Sequence, residues 1–305
     1  MKRLLVTGAS GLLGINLALR ELAHREVTGI INSHALSGIP FPVEALDLTL
    51  PGRIEHVLAD KKPDVVINCA ALANIDDCEK EPAKALLTNS TMPGWMAQEC
   101  HKRGIRLVHL STDAVFDGLQ GGYRETDTPH PLSVYAQTKL DGEKAVLDAC
   151  PDAVIARVNF YGWSLSGKRS LAEFFYNNLS AGKQVNGFTD VLFCPLFVDH
   201  LADVLMRLAD SDHSGLFHVV SPVALSKYDF GCRIARVFKL DDRLIKPVSV
   251  EDGGLLARRS PNLTLNTDKL RKALQLVLPG VDEGIQAFAG QLANGHPQRI
   301  RKFLV

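Results

Sequence analysis

The strongest constraint on the fold lies near the start of the chain. There Thr7-Gly8-Ala9-Ser10-Gly11-Leu12-Leu13-Gly14 follows the apolar run Leu4-Leu5-Val6. The octet opens a stretch in which Leu13, Leu17, Leu19 and Leu22 recur at helical spacing. A strand, a glycine-rich turn and a helix are implied in that order. A turn without side chains lets backbone N–H groups approach a pyrophosphate, and the positive end of the helix macrodipole faces the anion. Gly8 is expected to allow the tight turn, Gly11 the close approach of phosphate, and Gly14 the packing of helix against strand. Ser10, Leu12 and Leu13 complete the expected phosphate-binding turn.

The rest of the first half repeats the theme. Val27–Ile31, a short run ending near Leu46-Asp47, Pro63–Asn68, Ile105–Leu110 and Ala153–Val158 read as strands. Helical stretches around 52–61, 83–102 and 134–149 separate them. Such alternation predicts the α/β class, with a doubly wound parallel sheet. Ligands then sit outside the carboxyl ends of the strands, so residues 8–14, 68–74 and 111–117 are expected to line one crevice. Residues 1–160 are read as a dinucleotide-binding domain, with a return to the sheet at about 191–220. Residues 161–190 and 221–305 are read as a smaller lid that selects the substrate.

Composition narrows the partner. The 305 residues carry 34 basic and 34 acidic side chains, so no basic field exists to hold nucleic acid or an anionic membrane. A small-molecule partner is expected. No apolar run approaches the ~20 residues needed to span a bilayer. Cys69, Cys78, Cys100, Cys150, Cys194 and Cys232 form no Cys-x-x-Cys pair, which fits reduced thiols and a cytoplasmic location. His109, His130, His200, His213 and His218 lack ligand spacing, so no metal is expected and each reads as a satisfied core or surface imidazole.

Tyr135 and Lys139 stand at i and i+4 on a helix, one turn apart on one face. An ammonium beside a phenol favours phenolate, so Lys139 is expected to pull the Tyr135 pKa down toward neutrality. The run Leu110-Ser111-Thr112-Asp113 ends a strand in hydroxyl residues, and Thr112 is placed to reach a substrate carbonyl. At the end of the second strand, Ile31-Asn32-Ser33-His34 offers no carboxylate to repel a 2′-phosphate. NADPH is therefore the expected cofactor, with NADH possible. Asp47 and Leu48, after the third strand, are placed as adenine contacts.

These motifs resemble the extended short-chain dehydrogenase/reductases, whose sheet is of the Rossmann type. Within them the chain is similar to the dTDP-4-dehydrorhamnose reductases. The resemblance is carried by Thr7–Gly14, Asn68-Cys69-Ala70-Ala71, Ile75-Asp76 with Glu79, Asn89, Ser111–Gly118, Pro131–Lys139 and Gly142-Glu143-Lys144. Gly215–His218 and Arg259 through Leu265-Asn266-Thr267 extend it. It implies an NAD(P)H-dependent reductase of a nucleotide-linked 4-keto-6-deoxy sugar. Tyr135 is then the proton donor, Thr112 a second hydrogen bond to the same oxygen, and Lys139 the holder of the nicotinamide ribose. Asn89 is expected to support the strand that carries Ala70 and Ala71 beside the cofactor. Asp113, Phe160 and Arg259 are expected to face the substrate.

Three departures fall on the substrate side. Ala114 stands where the rhamnose reductases usually have tyrosine, Phe160 where they often have tryptophan, and Leu196 where threonine usually follows the proline. Two other assignments share the same first half. One is an NADP-binding regulatory subunit like the β subunit of methionine adenosyltransferase, and the other is a nucleotide-sugar epimerase. A homodimer is the default expectation for the assembly.

Overall fold

A computed structural model describes residues 1–32, 35–253 and 260–305. Its centre is a parallel sheet built from β1 (Arg3–Thr7), β2 (Glu26–Ile31), β3 (Val43–Ala45), β4 (Val65–Asn68), β5 (Arg106–Thr112) and β6 (Val154–Val158), with Gly215–Val219 as a seventh strand. The spatial order runs from that seventh strand through β6, β5, β4 and β1 to β2 and β3. Chain direction across the sheet therefore reverses between β1 and β4. A crevice opens at such a switch point, above the carboxyl ends of the strands.

Both faces of the sheet are covered because its strands alternate. Leu4 and Val6 pack with Leu13 and Leu17 of helix α1 (Leu12–Glu21), whereas Leu5 points to the other side. There Leu5, Val66, Leu107 and Ile155 meet Ile54 and Val57 of α2 (Arg53–Lys61) and a second group of helices. Period-two alternation buries both sets, each large side chain adding roughly 1.5–3 kcal/mol. The stretch expected as one helix over 83–102 is interrupted. After α3 (Ile75–Lys80), α4 (Pro82–Leu86) passes through a π-helical turn, Leu87–Thr91, into α5 (Met92–Arg103). Helix α6 (Val134–Ala149) has the predicted bounds and lies against α5, where Gly142 lets it close on the Asn89 carbonyl.

Beyond β6 the elements shorten, as the scattered prolines and glycines predict. Phe160–Tyr161 pairs with Leu196–Phe197, Leu192–Phe193 with Leu225–Ser226, and Val185–Phe188 with Ile245–Val248. Among them lie α7 (Leu171–Ser180), α8 (Val198–Ala209) and α9 (Lys227–Val237). Helix α8 packs beside α1 and covers its sheet face, and the seventh strand then rejoins β6 in parallel. Helices α10 (Asp268–Leu274), α11 (Val281–Ala293) and α12 (His296–Arg301) follow. The last residues return to the first half: Leu36 and Leu304 form an antiparallel bridge, and His296 reaches Asn16 at 2.8 Å. Among the described residues no helix is long and apolar enough to cross a membrane. The six cysteines are unpaired, all buried or half-buried.

Candidate active site

The glycine turn has the geometry of an anion cradle. Gly8 sits at φ +63°, a left-handed conformation, and a Cβ there would lie 2.9 Å from the Ala70 amide nitrogen. The Gly11 N–H donates to the Gly8 carbonyl at 2.8 Å and starts the helix, with no side chain capping it and no acid in the first turn. The N-terminal N–H groups of α1 thus face the crevice without an internal anion. Gly14 is required for a different contact than expected. A Cβ at Gly14 would stand 2.3 Å from the Gly8 carbonyl oxygen, inside the loop itself rather than against a strand. Ser10 and Leu12 are half-buried and Leu13 is buried.

Opposite this turn, the loop after β4 is held from below. The Asn89 side chain accepts from the Leu72 N–H at 2.8 Å and donates to the Leu72 carbonyl at 3.0 Å. It also lies 3.2 Å from the Thr138 hydroxyl. Fully buried, Asn89 acts on the loop backbone next to Ala70 and Ala71, and the π-helical turn is what aims its carboxamide there. Asn32 is exposed at the end of β2, and no acid occupies that position. Asp47 lies two residues past β3 and its Oδ1 accepts from the Thr49 N–H and hydroxyl, while Leu48 is buried. Ser33, His34 and Arg259 lie outside the described residues.

Two polar rows cross the carboxyl ends of the strands on the α6 side. In the first, Thr7, Asn68 and His109 are register neighbours on β1, β4 and β5. In the second, Ser111, Arg157 and His218 line up on β5, β6 and the seventh strand. Helix α6 lays Lys139 over the first row and Glu143 over the second. Glu143 accepts from both Arg157 Nε at 2.9 Å and Arg157 Nη2 at 2.7 Å, and from the Ser111 hydroxyl. Neither row is read from the sequence, although polar residues near the ends of otherwise apolar strands, one each on β1, β4, β6 and the seventh strand and several on β5, were its signal.

The groups expected to be reactive stand where β5 ends. Ser133 caps α6 by accepting from the Ala136 N–H, which sets Tyr135 and Lys139 in the first two turns. The Thr112 hydroxyl donates to Asp113 Oδ1 at 3.1 Å and accepts from the Ala114 N–H at 3.2 Å. Tyr135 is a further hydrogen-bond partner of the Thr112 hydroxyl, in the sense that stabilises the phenolate. Burial pushes the phenol up to about 12, against the pull of that hydrogen bond, and nearby Asp113 adds to the rise. The expectation that Lys139 acidifies Tyr135 is corrected here. The Lys139 ammonium group turns away, donating to the Leu110 carbonyl at 2.6 Å, and burial lowers its own pKa to about 8.

Of the residues expected to face the substrate, Asp113 is buried and receives Asn159 Nδ2 at 2.6 Å. Burial raises its pKa to about 6, while Asn159, Thr112 and the charge of Lys227 at the start of α9 oppose the rise. Ala114, next to Asp113 in the chain, and Phe160, next to Asn159, are both half-buried. Among the described residues, no group of three or more potential metal ligands gathers.

A reversed parallel sheet, a glycine cradle at its switch point and a threonine, tyrosine and lysine along the adjoining strand and helix define the extended short-chain dehydrogenase/reductase class. Comparisons with known proteins narrow it. The family described as RmlD substrate binding domain matches residues 1–294, and the chain belongs to that family. A probable low-salt glycan biosynthesis reductase, Agl14 of Haloferax volcanii, is 36% identical over 92% of this chain and 95% of its own length. The methionine adenosyltransferase 2 subunit beta of Pongo abelii is 33% identical over 88% of this chain and 81% of its own. A crystal structure of dTDP-4-dehydrorhamnose reductase from Bacillus anthracis in complex with NADP superposes with a TM-score of 0.85. It is 25% identical and covers 95% of this chain and 100% of the other.

Proposed function

We propose that the chain reduces the ketone of a nucleotide-linked 4-keto-6-deoxy sugar at the expense of NADPH, with NADH as a weaker alternative. One observation carries this reading. The Thr112–Tyr135 hydrogen-bonded pair stands beside Lys139 at the carboxyl edge of the sheet that also holds the glycine cradle. That cradle fits a dinucleotide, because Gly8 and Gly14 let the loop close on its own backbone without side chains and no carboxylate stands in the first turn of α1 to oppose phosphate. Gly8, Ser10, Gly11, Leu12, Leu13 and Gly14 would hold the pyrophosphate, Asp47 and Leu48 the adenine end, and Ala70, Ala71 and Lys139 the nicotinamide half. When bound, the reduced cofactor supplies the hydride.

The residues of the chain do the rest. Tyr135 transfers its phenolic proton to the ketone oxygen, so that one hydride and one proton convert C=O to CH–OH. A phenol held near 12 is fully protonated at neutral pH, as a donor must be. Thr112 swings its hydroxyl from Asp113 to the same oxygen. Donors aimed at charge that grows only in the transition state contribute roughly 3–4 kcal/mol each. Asp113 and Phe160 would face the sugar; Arg259, expected there from the sequence, lies outside the described residues. We assign residues 1–160, with the return at 191–220, to the cofactor side and 161–190 and 221–305 to the substrate side, except that the tail from His296 packs on the cofactor half.

Loss of NADPH absorbance on adding 4-keto sugar nucleotides tests the proposal. Tyr135→Phe is expected to lower kcat by roughly 10²- to 10⁴-fold while leaving NADPH affinity intact. Absence of turnover with every ketone in the panel would sink it. The similarity to a methionine adenosyltransferase β subunit favours a second reading, a regulatory subunit. Stoichiometric binding to a methionine adenosyltransferase without ketone turnover would establish that reading instead.

A further inference from the structure

A continuous hydrogen-bond chain lies under Lys139, and its members are all buried: Thr7, Asn68, His109 and Lys139. The Thr7 hydroxyl meets Asn68 Oδ1 at 2.6 Å, Asn68 Nδ2 meets His109 Nδ1 at 3.0 Å, and His109 Nε2 meets Lys139 Nζ at 3.4 Å. Because three members and the two links between them fall on one register row of the sheet, the chain is built by backbone geometry rather than by side-chain chance.

The link at His109 is selective. A neutral imidazole has one N–H and one lone pair, whereas an ammonium has donors only. With Asn68 Nδ2 donating to Nδ1, the ring proton must sit on Nε2, facing Lys139. That arrangement fits a neutral amine, which accepts the proton in its lone pair. A charged Lys139 needs a bare Nε2, so the ring proton must move to Nδ1. Asn68 must then turn its oxygen to His109 and its amide N–H to Thr7. Each inversion takes one proton from solvent onto Lys139, while the imidazole keeps one ring proton throughout.

We propose that His109 is a positioning residue that couples the charge of Lys139 to the direction of the chain ending at Thr7, by exchanging tautomers while remaining neutral. The far end matters because the Thr7 hydroxyl also accepts from the Ala70 N–H at 3.3 Å, and that amide forms the wall that requires glycine at position 8. The lysine's charge thereby alters how the cradle loop is held. The link to cofactor binding rests on the proposed function, but the chain itself does not.

The surroundings allow the exchange near neutral pH. Lys139 faces Glu143 one turn along α6, the Cys69 thiol after β4 and His109 on β5. Burial outweighs the attraction of Glu143 and brings the ammonium to about 8, and it pushes the thiol to about 12, so Cys69 stays neutral. Burial and the lysine together keep the imidazole well below its ordinary value.

The test uses the full chain without cofactor or substrate, so its outcome is separate from the reductase reading. Nitrogen-15 spectra of histidine-labelled protein are followed between about pH 6 and 10, with Lys139 observed in parallel through labelled side-chain carbon. His109 is assigned by loss of its signal in His109→Gln and Lys139 by loss in Lys139→Met. The expected result is an exchange of the Nδ1 and Nε2 shifts with the same midpoint as Lys139, and no doubly protonated ring. A His109 that keeps one tautomer across the lysine titration, or that becomes imidazolium, overturns the proposal. In His109→Phe the lysine loses a partner in both charge states, the stronger, charge-assisted bond in the ammonium form, and its midpoint should fall by about one pH unit. An unmoved midpoint also overturns it, and should that variant not fold, the titration of the unaltered protein decides.

Discussion

Replacing Gly14 with alanine sets two known effects against each other at one atom. Position 14 is the third residue of α1, and alanine in a helix is favoured over glycine by up to about 1 kcal/mol. The added Cβ, however, would meet the Gly8 carbonyl oxygen at 2.3 Å, the Ala9 Cα at 2.8 Å and the Gly8 carbonyl carbon at 2.9 Å. All three are backbone atoms, so no rotamer relieves the contact. Helix and loop must part by about 1 Å to regain ordinary spacing, and overpacking of that kind costs roughly 1–3 kcal/mol. The clash wins. Gly14→Ala should lower stability by about 1–2 kcal/mol in denaturant unfolding. It should also weaken NADPH binding, followed by nucleotide fluorescence, by roughly 10- to 100-fold, since a displacement near 1 Å is felt that strongly in a positioned site. Gly290 in α11 is the matched control. It is exposed, nothing lies within 4 Å of its Cβ position, and Gly290→Ala should gain about 0.5–1 kcal/mol. A Gly14→Ala protein as stable as its parent, with NADPH affinity within about threefold, would refute the reasoning that the loop is shaped by this contact.

Two further outcomes follow from single groups. Asn32→Asp restores the carboxylate that the end of β2 lacks, and should shift the ratio of kcat/KM for NADPH over NADH toward NADH by tenfold or more, in the order of about 1.4 kcal/mol. Asp113 ties stability to pH. Its pKa is raised from 3.8 to about 6 in the folded chain, so the native state holds more protons than the unfolded one in that interval, and stability falls as pH rises through it. The span corresponds to about 3 kcal/mol. Unfolding midpoints measured from about pH 4 to 7 should show this decline, and Asp113→Asn should flatten it; parallel curves for the two proteins would exclude the effect.

Much of the sheet was legible because each strand end carried its own mark. Leu4-Leu5-Val6 before Thr7 and Val65-Val66-Ile67 before Asn68 are apolar runs stopped by a polar residue, and the structure ends both strands at those polar residues. Helix α6 was equally plain, the stretch read as helical over 134–149 having the bounds of the structure, where Ser133 caps it. What could not be read depends on neighbours distant in sequence. The π-helical turn at Leu87–Thr91 leaves no local trace, because its reason is the Leu72 backbone that Asn89 must reach. The direction of Lys139 was also hidden. Spacing along α6 placed it one turn from Tyr135, but the Leu110 carbonyl on β5 captures the ammonium, and that carbonyl is known only once strand and helix are packed. Beyond residue 160, paired strands of two to four residues carry too few positions for any period to emerge.

The π-helical turn between α4 and α5 amounts to one residue more than a regular helix would use there. Excising that residue would restore a regular helix and leave the residues of α5 nearly in phase, because the wide turn absorbs its extra residue locally. Met92 and Met96 would keep their place under the sheet, but the Asn89 carboxamide that holds the Leu72 backbone would lose its aim. A gene library that tolerates substitutions throughout this segment should therefore contain almost no one-residue deletions in it. The irregularity is a length standard, and insertions or deletions, rather than changes of side chain, are what it forbids.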